Sequence, residues 1–302
     1  MIEKSDVYEL TVDDYLYSSN LRKIGNPPKK IWCIGNSELL KENSVAVVGS
    51  RNCSEYGEKI TKKIVRDLVE KNIVVVSGLA NGIDSVAHKS CIEFGGKTIA
   101  VLGSGFMHIY PKENEKLFCN IIRNNGLVIS EYPIYTEVNK KNFPKRNRII
   151  SGLVCGVLVI EAAYRSGTSI TARLAKNQGR QVYCIPNCIG NKNSYGTIEL
   201  LKNGAIPISS ANEMIDDLVK KKYIKKNTYN EDNVHNKQLR ILDSESKMIV
   251  ECIREQCGLD ANMISYKTGL EISRVNQLIT MLEIDDIIVD NNGYELKEAY
   301  YE

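Results

Sequence analysis

The feature of the sequence that most constrains the fold is a repeated unit, in which a short apolar run is followed by a small-residue turn and a helical pattern. The first unit has the apolar run 44–48, the turn Gly49-Ser50-Arg51 and a helical pattern from Glu55 to Glu70. Similar apolar runs follow at 73–76, 98–102, 127–129, 157–160, 182–185 and 206–208. A wholly apolar strand that leads into a helix is typical of a parallel sheet covered on both faces. The sequence therefore predicts an α/β fold with a doubly wound, mostly parallel, Rossmann-like sheet over residues 44–216.

Changes in composition mark further parts of the chain on either side of this region. Residues 1–43 are predicted to form an N-terminal extension, and the polar residues 217–242, rich in lysine and asparagine, a linker. Residues 243–302 contain three amphipathic helical patterns and then two short apolar runs around the turn Asn291-Asn292-Gly293. Three helices followed by a hairpin are typical of a winged helix, a variant of the helix-turn-helix. We therefore expect a small C-terminal winged-helix domain.

Charge is unevenly distributed between these parts. Residues 243–302 carry 5 Lys and Arg against 13 Asp and Glu, whereas residues 1–242 carry 35 against 24. Phosphate attracts the basic part and repels the acidic one, so a nucleic-acid surface is expected in the larger, basic part. For the acidic winged helix, the charge favours a protein contact or a regulatory role over the reading of DNA.

Other features of the sequence exclude whole classes of protein. No apolar run reaches the roughly 18 residues that a membrane-spanning helix needs, and no signal-peptide pattern opens the chain, so we expect a cytoplasmic protein without membrane contact. The nine cysteines lack the paired spacing of a zinc site or a disulfide framework. The first turn lacks the G-x-G-x-x-G pattern and no P-loop occurs, so no nucleotide cofactor is predicted. No metal is predicted either, because the cysteine spacing suggests no zinc site.

Small and hydroxyl-bearing residues follow most of the predicted strands. Ligands of such sheets bind beyond the carboxyl ends of the strands, where small residues let backbone amides approach an anion and hydroxyls add donors. The turns are Gly49-Ser50-Arg51, Ser77-Gly78, Gly103-Ser104-Gly105, Ser130-Glu131 and Ser166-Gly167-Thr168. They predict a phosphate-binding rim, with the alternative that the glycines only make tight turns.

A basic stretch, residues 140–152, supplies cations for such a rim. Pro144 suits the first position of a helix, which places Lys145, Arg146 and Arg148 in its opening turns. Cations at this end of a helix macrodipole are unfavourable by roughly 0.3–1 kcal/mol each. A polyanion across the helix start would relieve the conflict, because backbone N–H groups and side-chain cations would bind the same phosphates. The alternative is a solvated basic loop.

Several long motifs stand out along the chain: Val45–Arg51, Ser77–Asp84 with Ala87-His88, Phe143–Gly152, and Glu161-Ala162 with Ser166–Ala172. In this order they closely resemble the motifs of the DNA-processing protein A family (DprA, also called Smf). The resemblance extends over about residues 27–218. It implies a Rossmann-fold protein, without catalytic activity or cofactor, that binds single-stranded DNA and forms homodimers. It also implies loading of the RecA recombinase on to incoming or damaged DNA, often during natural transformation.

The resemblance, together with the strand-end turns, implies a set of functional residues. Phe143 is the candidate platform for base stacking, Glu161 is expected to order Arg146 or Arg148, and His88 is expected to make a structural hydrogen bond. The candidate DNA-binding residues are Gly49, Ser50, Arg51, Ser77, Gly78, Phe143, Lys145, Arg146, Asn147, Arg148, Ser166, Gly167 and Thr168.

Three positions depart from the family pattern. Asn81 stands where arginine is frequent, so a phosphate contact is in doubt there. Met107 stands where aspartate is frequent, and Asn187 follows Pro186 where glycine is usual.

Two other functions compete with this interpretation. A phosphoribohydrolase-type nucleotide hydrolase has a similar fold, but it needs a carboxylate at a helix start where this chain has Thr171. A transcription regulator that recognises DNA through its winged helix requires sequence-specific binding to duplex DNA. Base release from nucleoside monophosphates would identify the first, and preference for duplex over single strand the second.

Overall fold

A computed structural model describes residues 6–164, 166–224, 243–284, 287–291 and 293–296. The chain divides into two compact units, Met1–Thr228 and Tyr229–Glu302. Each unit is described by itself. No helix in these described ranges is both long enough and apolar enough to cross a membrane.

A nine-stranded sheet forms the centre of the first unit, in the order β1-β2-β6-β5-β4-β3-β7-β8-β9. Its strands are β1 (Tyr8–Thr11), β2 (Lys30–Gly35), β3 (Ser44–Val48), β4 (Val74–Ser77), β5 (Thr98–Leu102), β6 (Leu127–Ser130), β7 (Gly156–Val159), β8 (Gln181–Cys184) and β9 (Ile206–Pro207). Its helices are α1 (Ser19–Arg22), α2 (Glu55–Glu70), α3 (Ile83–Glu93), α4 (Glu115–Arg123), α5 (Asn142–Leu153), α6 (Gly167–Asn177), α7 (Tyr195–Lys202) and α8 (Ala211–Lys220). Short 3-10 helices cover Ser37–Lys41 and Lys112–Asn114.

Strands β3 to β9 run parallel to one another, which confirms the predicted fold class. Every residue of β3 to β7 is buried, since helices cover both faces of the sheet, and this explains why these runs are almost entirely apolar. Strand β3 pairs with β4 on one side and with β7 on the other. The strand order therefore reverses at β3, and the ligand crevice of such a sheet lies at this point, beyond the carboxyl ends.

The segment predicted as an N-terminal extension is built into the same sheet. Strand β1 pairs with β2, and β2 pairs with β6, both antiparallel. Leu21 and Ile24, at the end of the short helix α1, are buried in the core of the first unit. Residues 1–43 therefore include an integral edge of the Rossmann-like unit, which sequence periodicity missed because the two strands are short and lie outside the repeat.

The predicted linker begins later than residue 217. Helix α8 continues to Lys220, with Leu218 buried, and Ile224 is buried as well. The Tyr223 hydroxyl donates to the carbonyl oxygen of Gly179 at 2.8 Å, which fixes the chain after the helix. The rest of the predicted linker, residues 225–242, lies outside the described residues.

The second unit contains α9 (Ser244–Glu255), α10 (Ala261–Thr268), α11 (Ile272–Ile284), β10 (Ile288–Asp290) and β11 (Tyr294–Leu296). The two strands pair antiparallel, and apolar side chains from all three helices form a core of their own. The order of elements is the predicted one, while assignment to the winged-helix class stays a prediction. Arg274, the only cation of α11, is paired with Glu245 at 2.7 Å, so the helix offers phosphate no unpaired charge.

Candidate nucleic-acid interface

A pocket of about 160 Å³ opens beyond the carboxyl ends of β3 and β4, next to the start of α5. The rings of Tyr110 and Phe143 form one wall, with their centroids 5.5 Å apart and their planes tilted by 41°. The lining residues are Arg51, Asn52, Gly78, Ala80, Asn81, Tyr110, Pro111, Phe143 and Arg146. Four of the predicted site residues therefore meet here, together with Tyr110 and Asn52, which sequence reasoning did not select.

Arg51 stands at the mouth of this pocket. Its side chain is exposed, and it makes no hydrogen bond or ion pair with any described residue. Its guanidinium carbon lies 5.8 Å from the centroid of the Phe143 ring. Arg51 is therefore a cation that is free to bind a phosphate.

Arg146, in contrast, is a buried cation with only 4% of its surface exposed. Its Nη1 donates to the carbonyl oxygen of Gly78 at 2.9 Å and to that of Val101, and its Nε donates to Asn147 Oδ1 at 3.2 Å. Among the described residues no acceptor meets its Nη2, and Arg146 lines the pocket. One N–H edge of a fixed guanidinium is thus left for a ligand.

The charge of Arg146 is balanced by Asp84, which is also buried. Burial lowers the pKa of Arg146 to about 10, against the opposing effect of the Asp84 carboxylate, so the guanidinium stays charged at neutral pH. Burial likewise raises the pKa of Asp84, with Arg146 acting in the other direction. The two charges lie close together beside Gly78, because a Cβ on that residue would stand 2.8 Å from both Arg146 Nη2 and Asp84 Oδ2. Glycine is required at 78 by this close approach.

Several strand-end donors predicted to bind an anion are already used within the fold. The Ser77 hydroxyl donates to the Val47 carbonyl at 2.7 Å, and the Gly78 N–H to Asp84 Oδ2 at 3.1 Å. The Thr168 hydroxyl donates to the Gly49 carbonyl at 2.9 Å. Ser166 caps α6, where its Oγ accepts from the Ser169 N–H. These residues shape the crevice, and their predicted DNA contacts would require the internal bonds to be given up.

The side chains of the basic stretch, residues 140–152, differ in their exposure and in their partners. Helix α5 begins at Asn142, so Pro144 is its third residue instead of its first. Lys145 is exposed, whereas Arg148 is paired with Glu131 at 2.5 Å. The Asn147 side chain donates to the carbonyl of exposed Gly167 at 3.4 Å, which joins α5 to the start of α6. Two of the three cations predicted at this helix start, Arg146 and Arg148, therefore have partners within the fold.

A family model described as DNA recombination-mediator protein A matches residues 9–219. The chain belongs to the DNA recombination-mediator protein A family. This confirms the resemblance found in the motifs. The matched range lies in the first unit, so the family assignment rests on the Rossmann-like part.

Two relatives of known name show how much of the sequence is shared with other proteins. DNA processing protein DprA of Streptococcus pneumoniae (strain ATCC BAA-255 / R6) is 44% identical over 202 residues, 67% of this chain and 71% of the relative. Protein Smf of Escherichia coli (strain K12) is 39% identical over 217 residues, 72% of this chain but only 58% of the relative. This chain thus spans little more than half the length of the E. coli protein.

Solved structures of DNA processing protein A agree with the fold. The X-ray structure from Streptococcus pneumoniae has a TM-score of 0.66 at 41% identity, covering 69% of this chain and 73% of that one. The structure from Helicobacter pylori has a TM-score of 0.64 at 31% identity, covering 72% of this chain and 99% of that one. The H. pylori structure is described as giving insights into a unique single-stranded DNA binding mode of that protein.

Two of the three departures from the DNA recombination-mediator protein A pattern lie at or beside the crevice. Asn81 lines the pocket, where its Oδ1 faces Asn114 Nδ2 at 3.4 Å. Its amide nitrogen makes no hydrogen bond with the described residues and replaces the frequent arginine by a neutral donor. Asn187 reaches Glu161 Oε1 at 3.4 Å. Met107 is half exposed.

Glu161 does not order the arginines of α5, contrary to prediction. It is fully buried, and its carboxylate accepts from the Ser54 N–H at 3.0 Å, from the Ser54 hydroxyl, and from Asn193 Nδ2 at 3.2 Å. The acids near the arginines are Asp84 and Glu131 instead. Asp84 lies in α3 and Glu131 directly follows β6, so both lie outside the motif around Phe143.

His88 makes the structural hydrogen bond that was predicted. Its Nδ1 lies 2.7 Å from Thr98 Oγ1, which itself donates to the Val75 carbonyl at 2.7 Å. The threonine proton is used in that second bond, so His88 Nδ1 carries the proton and donates it to Thr98. His88 Nε2 is then an unprotonated atom, buried without a partner. Burial, followed by the charge of Arg146, lowers the pKa of His88 to about 3.

We expect the free energy of unfolding to fall as the pH drops below 6.5. The unfolded chain protonates His88 near its ordinary pKa of 6.5, whereas the folded protein does so only near 3. At pH 5.5 the unfolded state therefore binds almost one more proton than the folded state, and the free energy of unfolding falls by about 1 kcal/mol between pH 6.5 and 5.5. Urea unfolding at pH 6.5 and 5.5 measures the decline. The variant His88→Gln should show a smaller one, and an equal decline would assign the proton to another group.

Proposed function

We propose that the chain binds single-stranded DNA in this pocket and mediates recombination without catalysing a reaction on the DNA. The observation that carries the proposal is a pair of guanidinium groups around one aromatic ring. Arg51 and Arg146 lie 5.8 and 6.0 Å from the Phe143 ring centroid, one at the mouth of the pocket and one at its base. Guanidinium groups bind phosphate oxygens, and an aromatic face binds a nucleobase.

The dimensions of the pocket favour an unpaired strand over a duplex. A volume of about 160 Å³ admits one base or one phosphate, but no double helix. The faces of Phe143 and Tyr110 could be reached only by a base that has left its stack. Exposed Lys145, one turn along α5, extends the positive charge for a neighbouring phosphate. Binding through phosphates and ring faces is nearly indifferent to sequence.

A fluorescence titration with single-stranded and duplex oligonucleotides of the same sequence tests the proposal directly. The full chain should bind the single strand more tightly, and an excess of unlabelled duplex should displace it poorly. Preference for the duplex would contradict the proposal and favour a transcription regulator.

Replacing Arg51 by alanine should lower the salt dependence of this binding. Each phosphate contact contributes about 0.7 to the slope of log affinity against log salt for a single strand. We therefore expect Arg51→Ala to reduce the slope by about 0.7 and the affinity roughly tenfold. Lys89→Ala is the matched control. It removes an exposed lysine of α3 that does not line the pocket, and it should leave the slope unchanged. An unaltered slope in Arg51→Ala would remove Arg51 from the site.

We further propose that the protein works in the cytoplasm as a homodimer and loads the RecA recombinase on to the bound strand. Membership of a family of recombination mediators supports this role. The test is the lag before RecA assembles on oligonucleotide already covered by a single-strand-binding protein. The chain should shorten the lag, and Arg51→Ala should restore most of it. Sedimentation at several concentrations tests the dimer.

A nucleotide hydrolase is the enzymatic alternative. Thr171 stands where such an enzyme needs a carboxylate, and its buried hydroxyl donates to the Gly167 carbonyl at 3.3 Å. Incubation with nucleoside monophosphates should release no free base. Release that is abolished by Glu161→Gln would support the hydrolase instead.

A further inference from the structure

The loop that carries Arg51 is held by a residue far away in the sequence, Asn193. Asn193 Nδ2 donates to the Asn52 carbonyl at 2.8 Å, and Asn193 Oδ1 accepts from the Ser50 hydroxyl at 3.2 Å. The hydroxyl of Ser50 shares its proton with the Asn52 carbonyl at 3.0 Å. One amide side chain thus contacts both neighbours of Arg51, while Arg51 itself makes no polar contact with the described residues.

Asn193 is itself fixed in place by the sheet. Its Nδ2 donates to Glu161 Oε2 at 3.2 Å, and its backbone carbonyl accepts from the Ala162 N–H at 2.8 Å. Glu161 and Ala162 follow the end of β7, the strand beside β3 at the point where the strand order reverses. The orientation of the Asn193 amide is determined, because its nitrogen faces two acceptors and its oxygen faces a hydroxyl.

On the side that faces the start of α3, the Arg51 loop is held by backbone contacts. The Ile83 N–H donates to the Ser50 carbonyl at 3.1 Å. Gly82 has a φ of +72°, and a Cβ there would stand 2.7 Å from the Arg51 carbonyl oxygen. The only side-chain amide that holds the loop is therefore that of Asn193, among the contacts of the described residues.

We propose that Asn193 is a positioning residue for DNA binding, which holds the Arg51 backbone so that its guanidinium stays beside Phe143. A flexible arginine on a loose loop would lose entropy on binding a phosphate, whereas a fixed loop has already lost it. Glu161 supports this function through Asn193, which explains a buried carboxylate at the crevice without a catalytic role. The inference rests on the proposed function, because it assumes that Arg51 contacts the strand.

The test is a double-mutant cycle on the full chain, measured by binding of a fluorescent oligothymidylate at fixed salt. Asn193→Ala should weaken binding roughly fivefold, which is the effect expected from the loss of about one net hydrogen bond. In the Arg51→Ala background the same substitution should have no further effect, because nothing remains for it to position. Asn187→Ala removes another amide from Glu161 without touching the Arg51 loop, and as the matched control it should change binding less than twofold.

The outcomes separate this inference from the proposed function. If Arg51→Ala leaves binding unchanged, the proposed function fails. If Arg51→Ala weakens binding but Asn193→Ala has either no effect or the same effect in both backgrounds, the proposed function stands and the positioning role is overturned. General loss of structure would weaken both backgrounds equally and so counts against the role. Should Asn193→Ala not fold, Asn193→Ser, which keeps a hydroxyl near Asn52, replaces it in the same cycle.

Discussion

Replacement of Arg146 by methionine is expected to lower the free energy of unfolding of the first unit by about 3–5 kcal/mol. The substitution leaves the Asp84 carboxylate buried without its countercharge. It also removes the donor to the carbonyl oxygens of Gly78 and Val101, at the ends of β4 and β5. Buried charges and carbonyls without partners cost far more than lost surface contacts. Urea unfolding followed by circular dichroism measures the change.

Two further variants show whether the buried charge is the cause. Arg148→Met removes a neighbouring arginine of the same helix, but its partner Glu131 keeps 26% of its side chain exposed, so the loss should be only about 1 kcal/mol. The double variant Arg146→Met with Asp84→Asn removes both buried charges and should recover part of the stability. Equal losses for the two single variants would contradict the buried role of Arg146.

Replacement of Phe143 by alanine is expected to weaken binding of single-stranded DNA by roughly 1–3 kcal/mol, the contribution of one stacked base. The slope of log affinity against log salt should stay unchanged, because the ring carries no charge. The measurement is the same titration at several ionic strengths. The change therefore differs in kind from that of Arg51→Ala, which alters the slope.

Phe143→Leu is the matched control for packing. The Phe143 ring also packs against Gly103, where a Cβ would stand 2.8 Å from the ring atom Cδ1. Leucine keeps much of the apolar volume but has no aromatic face. Phe143→Leu should therefore be more stable than Phe143→Ala but should bind single-stranded DNA no more tightly. Recovery of affinity by leucine would show that the ring supports the pocket and does not stack on a base.

The sheet was predictable from the sequence because its signal is local. Each strand of β3 to β7 is buried on both faces, so each appears as an unbroken apolar run, and every run is followed by a turn and a helix. Strands β1 and β2 escaped prediction since they are antiparallel additions at an edge, with a mixed pattern of burial. The start of the linker was placed too early, at residue 217, because the lysines at 220–222 resemble a linker although α8 continues to Lys220.

The position of the site was predictable from the sequence, but the roles predicted for several of its residues were wrong. Small residues at the strand ends and the motif around Phe143 correctly indicated where a pocket lies. Arg146 and Arg148 belong to one basic run, yet the structure buries the first beside Asp84 and pairs the second with Glu131. Nothing in the spacing of the run distinguishes these two residues from Lys145, which is exposed. Asn193 carried no signal at all.

What the sequence by itself determined is the parallel architecture, the family and the end of the sheet at which the pocket opens, because apolar runs, turns and motifs act over short distances along the chain. Only the tertiary structure decided which cations are free to bind a phosphate. The strength of an ion pair or a hydrogen bond depends on distance in space, and Arg146, Arg148 and the Arg51 loop all have partners on other elements of the fold. A cation is available to a ligand only where folding has left it without such a partner, as at Arg51 and at one edge of Arg146.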